Sequence, residues 1–441
     1  MGRGAYQITL GLAASAWLLG SAAAPPALRA TAVPAARAHP SALIPDQAIV
    51  QFRSGIDGPT MERALHAAGG ARARRSAFGP RSLVTLDAGF TLDLSLERLR
   101  SMPEVEYAEP NGRVWALRRP SDRLFRYQWH MQMLNAERTW DIQTGDPEVV
   151  VAVLDTGIAY EDFGPYRKAP DWGNTVFVPG LNVLTGNSHA NDDSFHGTHV
   201  ASAIAEATDN GEGAAGLAFE CALMPVKILD WAGDGSFFDL AEGIDFAVSH
   251  ASGRPRVRVI NLSLGSTGES ETVRRAIDRA LSAGIVVVAS AGNDGRGRVT
   301  FPAVLPGVIA VGAVDALKHR PPYSNFGPAL DVVAPGGDFY RDDNGDGEVD
   351  GILQQTFDPF AAARGRFDDF GYFYAEGTSH AAPQVAALAA LLVRQGITDP
   401  AAVQAAIEST AEDLGPPGRD DEYGHGLIQP SQALTGLGLD R

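Results

Sequence analysis

The chain has 441 residues, 45% hydrophobic and 20% charged, which is enough for one large and one small packed domain and excludes a disordered polypeptide. Its net charge of -17 is uneven: residues 1–116 hold 12 Lys/Arg against 9 Asp/Glu, and residues 117–441 hold 24 against 44. The acidic main body repels phosphate and so excludes nucleic acid as a partner, while a single cysteine, Cys221, excludes an intramolecular disulfide.

Arg3 precedes the apolar run ITLGLAASAWLLGSAAA, then small residues and prolines. A charged n-region, an apolar stretch and an Ala-rich zone predict a cleaved export signal within residues 1–38, cut between 24 and 38. The run is too diluted by Ala and Gly to span a bilayer, and no later segment could, so no stable membrane anchor is expected. The expected product is secreted: extracellular, or periplasmic where the host has an outer membrane.

Residues 25–45 read as a Pro/Ala-rich linker, and residues 44–116 as a small module. Its order is the strand AIVQFRSG, the helix PTMERALHAAGG, a weak strand in ARARRSAF, the strand SLVTLDAG, the helix LSLERLRSM and the strand VEYAEPN. In the second helix Leu96, Leu99 and Met102 share one face. This βαββαβ order predicts a small α+β, ferredoxin-like domain, mildly basic and suited to docking on the acidic body. Residues 112–127 read as an exposed, basic connector.

The main domain, 117–441, alternates buried strands with amphipathic helices. VVVAVLD, ALMPVKIL, VRVINLSL, GIVVVASAG, GVIAVGAVD and LDVVAPGG are near-continuous apolar runs, as in parallel strands covered on both faces. SETVRRAIDRALSAG puts Val273, Ile277, Ala280 and Leu281 on one stripe. The repeat predicts an α/β fold with an open, doubly wound parallel sheet. SHAAPQVAALAALLVRQG is apolar nearly all round and is expected to be a central buried helix, with Pro383 in its first turns, where a missing N–H is tolerated.

Four segments carry chemistry. Asp155 ends VVVAVLD before Thr156-Gly157, which suits a turn; in open α/β sheets, however, functional groups gather beyond the carboxyl ends of strands. His196 and His199 are three apart at a helix start. A metal pair lacks a third ligand and the metalloprotease Glu, so His196 is either a general base or part of a capped helix, and His199 is structural. Ser379 opens the buried helix, as a cap or as a nucleophile helped by the helix dipole and free N–H groups. Asn293, in SAGNDG, is a turn residue or an amide donor to a developing oxyanion.

Taken together, VAVLDTGI, FHGTHVAS, SAGNDG and EGTSHAAP, in the order Asp, His, Asn, Ser, resemble the motifs of the subtilases, the subtilisin-like serine proteases. Subtilisin is the reference case for this order and for the oxyanion asparagine. The resemblance runs over residues 46–435. Residues 46–111 are similar to the family's inhibitory propeptide, QWHMQMLNAERTW to the start of a mature domain, and GHGLIQPSQAL to its end. It implies that Ser379 attacks the scissile carbonyl, His196 takes its proton, Asp155 orients the imidazole, and Asn293 with the Ser379 N–H receives the oxyanion. Ser263-Leu264-Gly265 resembles one substrate-pairing strand and Gly235-Ser236-Phe237 the facing one. Phe301-Pro302 matches a position that usually holds a cis proline.

Three residues depart from the family pattern: His380 stands where Met is usual, Gln384 where His is usual, and Ser202 where Gly is usual. The pocket region around Arg298, Val299 and Thr300 is short. Calcium is expected at two loops. TDNGEGAAG resembles a family calcium loop with Asn210 as side-chain ligand, and DDNGDGEVDG fits half of an EF-hand-like loop through Asp342, Asn344, Asp346 and Asp350, with Leu353 where the twelfth ligand would be. The implied protein is a monomeric secreted endopeptidase acting on proteins or peptides, made as a proenzyme inhibited by its own propeptide. The alternative is a catalytically silent peptide-binding protein of the same fold.

Overall fold

The structure is a computed structural model that describes residues 7–9, 43–112 and 119–435. The expected export segment lies outside these residues except for Gln7–Thr9, which pairs antiparallel with Asp234–Ser236. The chain divides into two compact units, one of residues 38–117 and one holding residues 118–441.

The smaller unit contains β1 (Leu43–Phe52), α1 (Gly58–Ala67), β2 (Gly70–Arg75), β3 (Arg81–Leu86), α2 (Leu92–Arg100) and β4 (Val105–Gly112). All six expected elements are present, the weak strand included. The sheet is antiparallel in the order β2-β3-β1-β4, the ferredoxin-like arrangement. Local chemistry starts both helices: the side chains of Asp57 and Thr91 accept N–H groups of the first turns. Val50, Phe52, Leu65, Val84, Leu96 and Leu99 form its core.

The larger unit is built on β5 (Val149–Asp155), β6 (Leu181–Asn182), α3 (His196–Ala205), β7 (Ala222–Lys227), β8 (Asp234–Ser236), α4 (Phe237–Ser249), β9 (Arg256–Leu262), α5 (Glu271–Ser282), β10 (Val286–Ser290), β11 (Val308–Val314) and β12 (Val332–Pro335). Seven strands pair in the order β12-β11-β10-β9-β5-β7-β6, all parallel, so the α/β expectation holds. The sequence did not signal the two-residue edge strand β6. A hairpin, β13 (Ile352–Phe357) and β14 (Phe370–Ala375), precedes α6 (Thr378–Arg394), which is buried from Thr378 to Val393.

Three expectations need correction. The connector is not exposed to residue 127: Leu124 and Phe125 are buried, and Phe125 lies 5.6 Å from the Trp140 ring. Its arginines dominate the composition, but these two apolar residues already pack into the larger unit. Phe237 is not in the strand. The Ser236 side chain accepts the Asp239 N–H and caps α4, so the chain turns helical at Phe237 and the strand is Asp234–Ser236. Pro383 lies beyond the first turn of α6, which begins at Thr378, so its missing N–H deprives the Ser379 carbonyl of its partner.

Candidate active site

The parallel sheet sets where these groups stand. Asp155 ends β5, Asn293 follows β10, and Ser263-Leu264-Gly265 follows β9, all at the carboxyl ends of neighbouring strands. His196 begins α3, and Ser379 is the second residue of α6.

Asp155 is wholly buried, and its Oδ1 accepts from His196 Nδ1 at 2.7 Å and from the Thr156 N–H at 2.7 Å. Burial pushes the His196 pKa down, but the charge and hydrogen bond of Asp155, with the charge of Asp192, overcome it and leave the imidazole above its ordinary value. A base so held is ready to take a proton and keep it through a reaction. Asp192, which the motif reading passed over, holds this turn. It accepts from Thr156 Oγ1, from the N–H groups of Ser194, Phe195 and Thr198, and from Thr198 Oγ1. It thereby restrains Phe195 at φ +96°, a left-handed conformation unusual for a bulky residue, directly before His196.

At the other half of the site, Gly377 (φ +135°) caps α6, and a Cβ there would sit 3.2 Å from Asn293 Nδ2. Four N–H groups at a helix start lack intrahelical partners. Here Gly377 donates to the Gly336 carbonyl, Thr378 to Asn293 Oδ1, and His380 to the Gly377 carbonyl. Among the described residues, the Ser379 N–H alone of the four is left for an incoming oxygen. Thr378 also donates its hydroxyl to Asn293 Oδ1 at 2.8 Å. Two donors on Oδ1 fix the amide orientation and turn Nδ2 away from them. Residue type alone gives no sign of this role for Thr378.

The Ser379 hydroxyl donates to the Ser263 carbonyl at 3.2 Å, and among the described residues it makes no hydrogen bond to His196. His380 joins the two halves, its ring centroid 5.5 Å from that of His196 and 4.5 Å from that of His199. His199 is structural: its Nε2 lies 3.1 Å from the Ile352 carbonyl and 3.0 Å from the Phe373 carbonyl. The other departures have partners too. Ser202 Oγ donates to the Thr198 and Gln355 carbonyls, and Gln384 Nε2 to those of Pro335 and His380. The Phe301–Pro302 bond is cis, and Phe301 bridges Ser266 beside the Ser263 segment.

Three buried imidazoles tie stability to pH. Burial, then the His199 charge, lowers His130 to about 3, and burial is the largest cause lowering His199 to about 4. Burial, then His199 and His196, holds His380 well below its usual range. For a base with a depressed folded pKa, the unfolded chain takes up the proton first. Stability is then intact above about pH 6.5 and drains away toward pH 4 for His199 and pH 3 for His130. His130 is the cleanest probe, because both its ring nitrogens are buried without a partner among the described residues. Replacing His130 with Leu is expected to raise the melting temperature at both pH values, and to stabilise by about 2 kcal/mol more at pH 5 than at pH 8. An equal effect at both values, in thermal melts, would contradict this reading.

The calcium candidates separate. Asn210 donates its amide to Asp171 at 2.6 Å and accepts the Glu212 N–H. Asp171 is almost wholly buried with Asp122 and Glu206, acids the sequence reading missed because they lie far apart along the chain. Burial raises Asp122 to about 7, and burial, then the Asp171 charge, raises Glu206 well above the carboxylate range. The buried Glu206 stands against the Asp171 carboxyl, and among the described residues no Lys or Arg pairs with these acids. Such oxygen-rich, uncompensated burial suits a hard cation, although no trio of acidic, Cys or His side chains already stands in metal-holding geometry among the described residues. In the second loop the oxygens of Asp342, Asn344, Asp346 and Asp350 accept from N–H groups of the loop itself, and Leu353 is wholly buried.

With the geometry in place, comparison with known proteins decides the family. The subtilase family profile matches residues 146–426, nearly two thirds of the chain. The chain belongs to the subtilase family. A fervidolysin N-terminal prodomain profile matches residues 29–111, which include most of the smaller unit. A thermophilic serine proteinase of Bacillus sp. (strain AK1) is 33% identical over 395 residues, covering 89% of this chain and 88% of that protein. Subtilisin DY of Bacillus licheniformis is 34% identical over 290 residues, covering 65% and 90%. Among solved structures, a protease from Pseudoalteromonas arctica PAMC 21717 superposes with a TM-score of 0.61 at 33% identity, covering 72% of this chain and 99% of that one. This subtilase is therefore a subtilisin-like serine protease with a prodomain. No helix among its described residues is long and apolar enough to cross a membrane.

Proposed function

We propose that this subtilase hydrolyses peptide bonds of proteins through an acyl-enzyme, and that it is exported as a proenzyme that cuts itself. Ser379 attacks the scissile carbonyl, His196 takes its proton and later gives it to the leaving amine, and Asp155 holds the imidazole tautomer. The Ser379 N–H and Asn293 Nδ2 receive the oxyanion. The observation that carries this reading is the unspent Ser379 N–H beside an Asn293 amide whose other end is already bound. An extended substrate runs between Ser263-Leu264-Gly265 and the β8 edge, now read as Asp234–Ser236, and pairs by main-chain hydrogen bonds. The smaller unit acts as the intramolecular inhibitor until it is removed. A fluorophosphonate probe tests the chemistry: label on Ser379 of processed protein is expected, and none would leave the mechanism without support.

Calcium is proposed at the first cluster, where Asp122, Asp171, Asn210 and Glu206 would hold it. When bound it supplies positive charge that these acids otherwise lack, tying α3 and its following loop to the start of the larger unit. The 342–350 loop is a second candidate. Chelation is expected to lower the melting temperature, and restoring calcium to 100 times its Kd recovers about 3 kcal/mol. Identical melts with and without chelator would remove calcium from this picture.

A further inference from the structure

We propose that Ser263 is a positioning residue for the nucleophile, its hydroxyl replacing the helix hydrogen bond that Pro383 deletes. In α6 the carbonyl of Ser379 would ordinarily accept the N–H of residue 383. Proline has none, and its ring crowds the carbonyl four residues back. That carbonyl belongs to the nucleophile itself.

Ser263 supplies the missing donor, its Oγ lying 2.7 Å from the Ser379 carbonyl oxygen. The direction of this bond is set from behind. Asn261 Nδ2 donates to Ser263 Oγ at 3.0 Å, so the Ser263 proton is free for Ser379. The pair is reciprocal, since the Ser379 hydroxyl rests on the Ser263 carbonyl. Asn261 and Ser263 are wholly buried and Ser379 is nearly so, so no water replaces the donor when it is lost.

The consequence for the site is geometric. The Ser379 carbonyl lies in the peptide plane that joins the nucleophile to His380, so anchoring it restrains the Ser379 Cα from which the N–H and the Oγ project. Without Ser263 the carbonyl tilts toward another donor, and both reacting groups move with it. Ser263 also follows β9, whose end is the proposed substrate strand, so one hydroxyl ties nucleophile and substrate to a common support. A hydroxyl is needed there because the partner helix carries proline.

This inference rests on Ser379 being the nucleophile, and a double-mutant cycle tests it on protein expressed as the full chain and allowed to process itself. Ser263→Ala keeps the main chain that would pair with substrate. It is expected to lower kcat about tenfold or more, with KM within about twofold, the loss of roughly one hydrogen bond. Made in a Pro383→Ala background, the same change is expected to cost less than about twofold, because the alanine introduced in place of the proline brings an N–H that serves the carbonyl. Equal cost in both backgrounds, or none beside Pro383, would overturn the proposal. If Ser263→Ala alone fails to fold, recovery of folded protein in the double variant supports the compensation, and failure of both variants overturns it. Fluorophosphonate labelling of the unsubstituted enzyme separates the two readings. No label at all defeats the assignment of Ser379; normal label that Ser263→Ala does not slow defeats the role of Ser263 alone.

Discussion

Replacing Ser379 with alanine is expected to lower peptide hydrolysis by at least about 10,000-fold and to leave the prodomain joined to the larger unit. The size follows from how the site is shared. His196 and Asp155 remain bonded at 2.7 Å, but they have no oxygen to activate. Residual rate then comes only from substrate positioning and oxyanion donors. The alanine keeps its N–H, so a peptide still binds, and KM changes far less than kcat. Purified precursor incubated alone separates self-processing from cleavage by another protease. The unsubstituted chain loses residues up to the connector, while the alanine variant stays whole. If the variant matures at the normal rate in isolation, the self-processing claim fails even where Ser379 remains the nucleophile.

The second large effect is at Asn293. Asn293→Ala is expected to cut kcat by about 100- to 1000-fold with KM nearly unchanged, because its donor acts on charge that appears only in the transition state. The structure adds a reason for a value near the top of that range. Thr378 uses both its N–H and its hydroxyl on Asn293 Oδ1, so the amide donor is held before substrate arrives. Removing the side chain also strands those two Thr378 donors near the nucleophile. Steady-state kinetics on a peptide substrate decides the matter: a loss carried mainly by KM would assign Asn293 to binding instead.

Both effects concern residues legible in the sequence, though not for geometric reasons. Asp155, His196, Asn293 and Ser379 each had an ordinary structural reading, and their common order and segments brought them together. The parallel strands were equally plain, because a strand covered on both faces must be apolar at nearly every position, as in Val149–Asp155. The strand Ile352–Phe357 was opaque for the opposite reason. It buries Gln354, Gln355 and Thr356, whose polar groups pair with Ala215, Asp171 and Phe195, residues more than 130 positions away. A polar run looks like a loop until its partners are known.

The sequence by itself determined the two-module organisation and the α/β sheet, and it singled out the four chemical groups proposed for the site, because periodicity and motifs are properties that survive in one dimension. Only the tertiary structure decided which donors remain unspent. The Ser379 N–H left over among the described residues, the pinned Asn293 amide, the Ser263 hydroxyl beneath a proline-broken bond and the buried acids around Asp171 all depend on pairings across chain separations of tens to hundreds of residues. Hydrogen-bond capacity is a matter of accounting over the whole fold, and a site's reactivity lies in what that accounting leaves over.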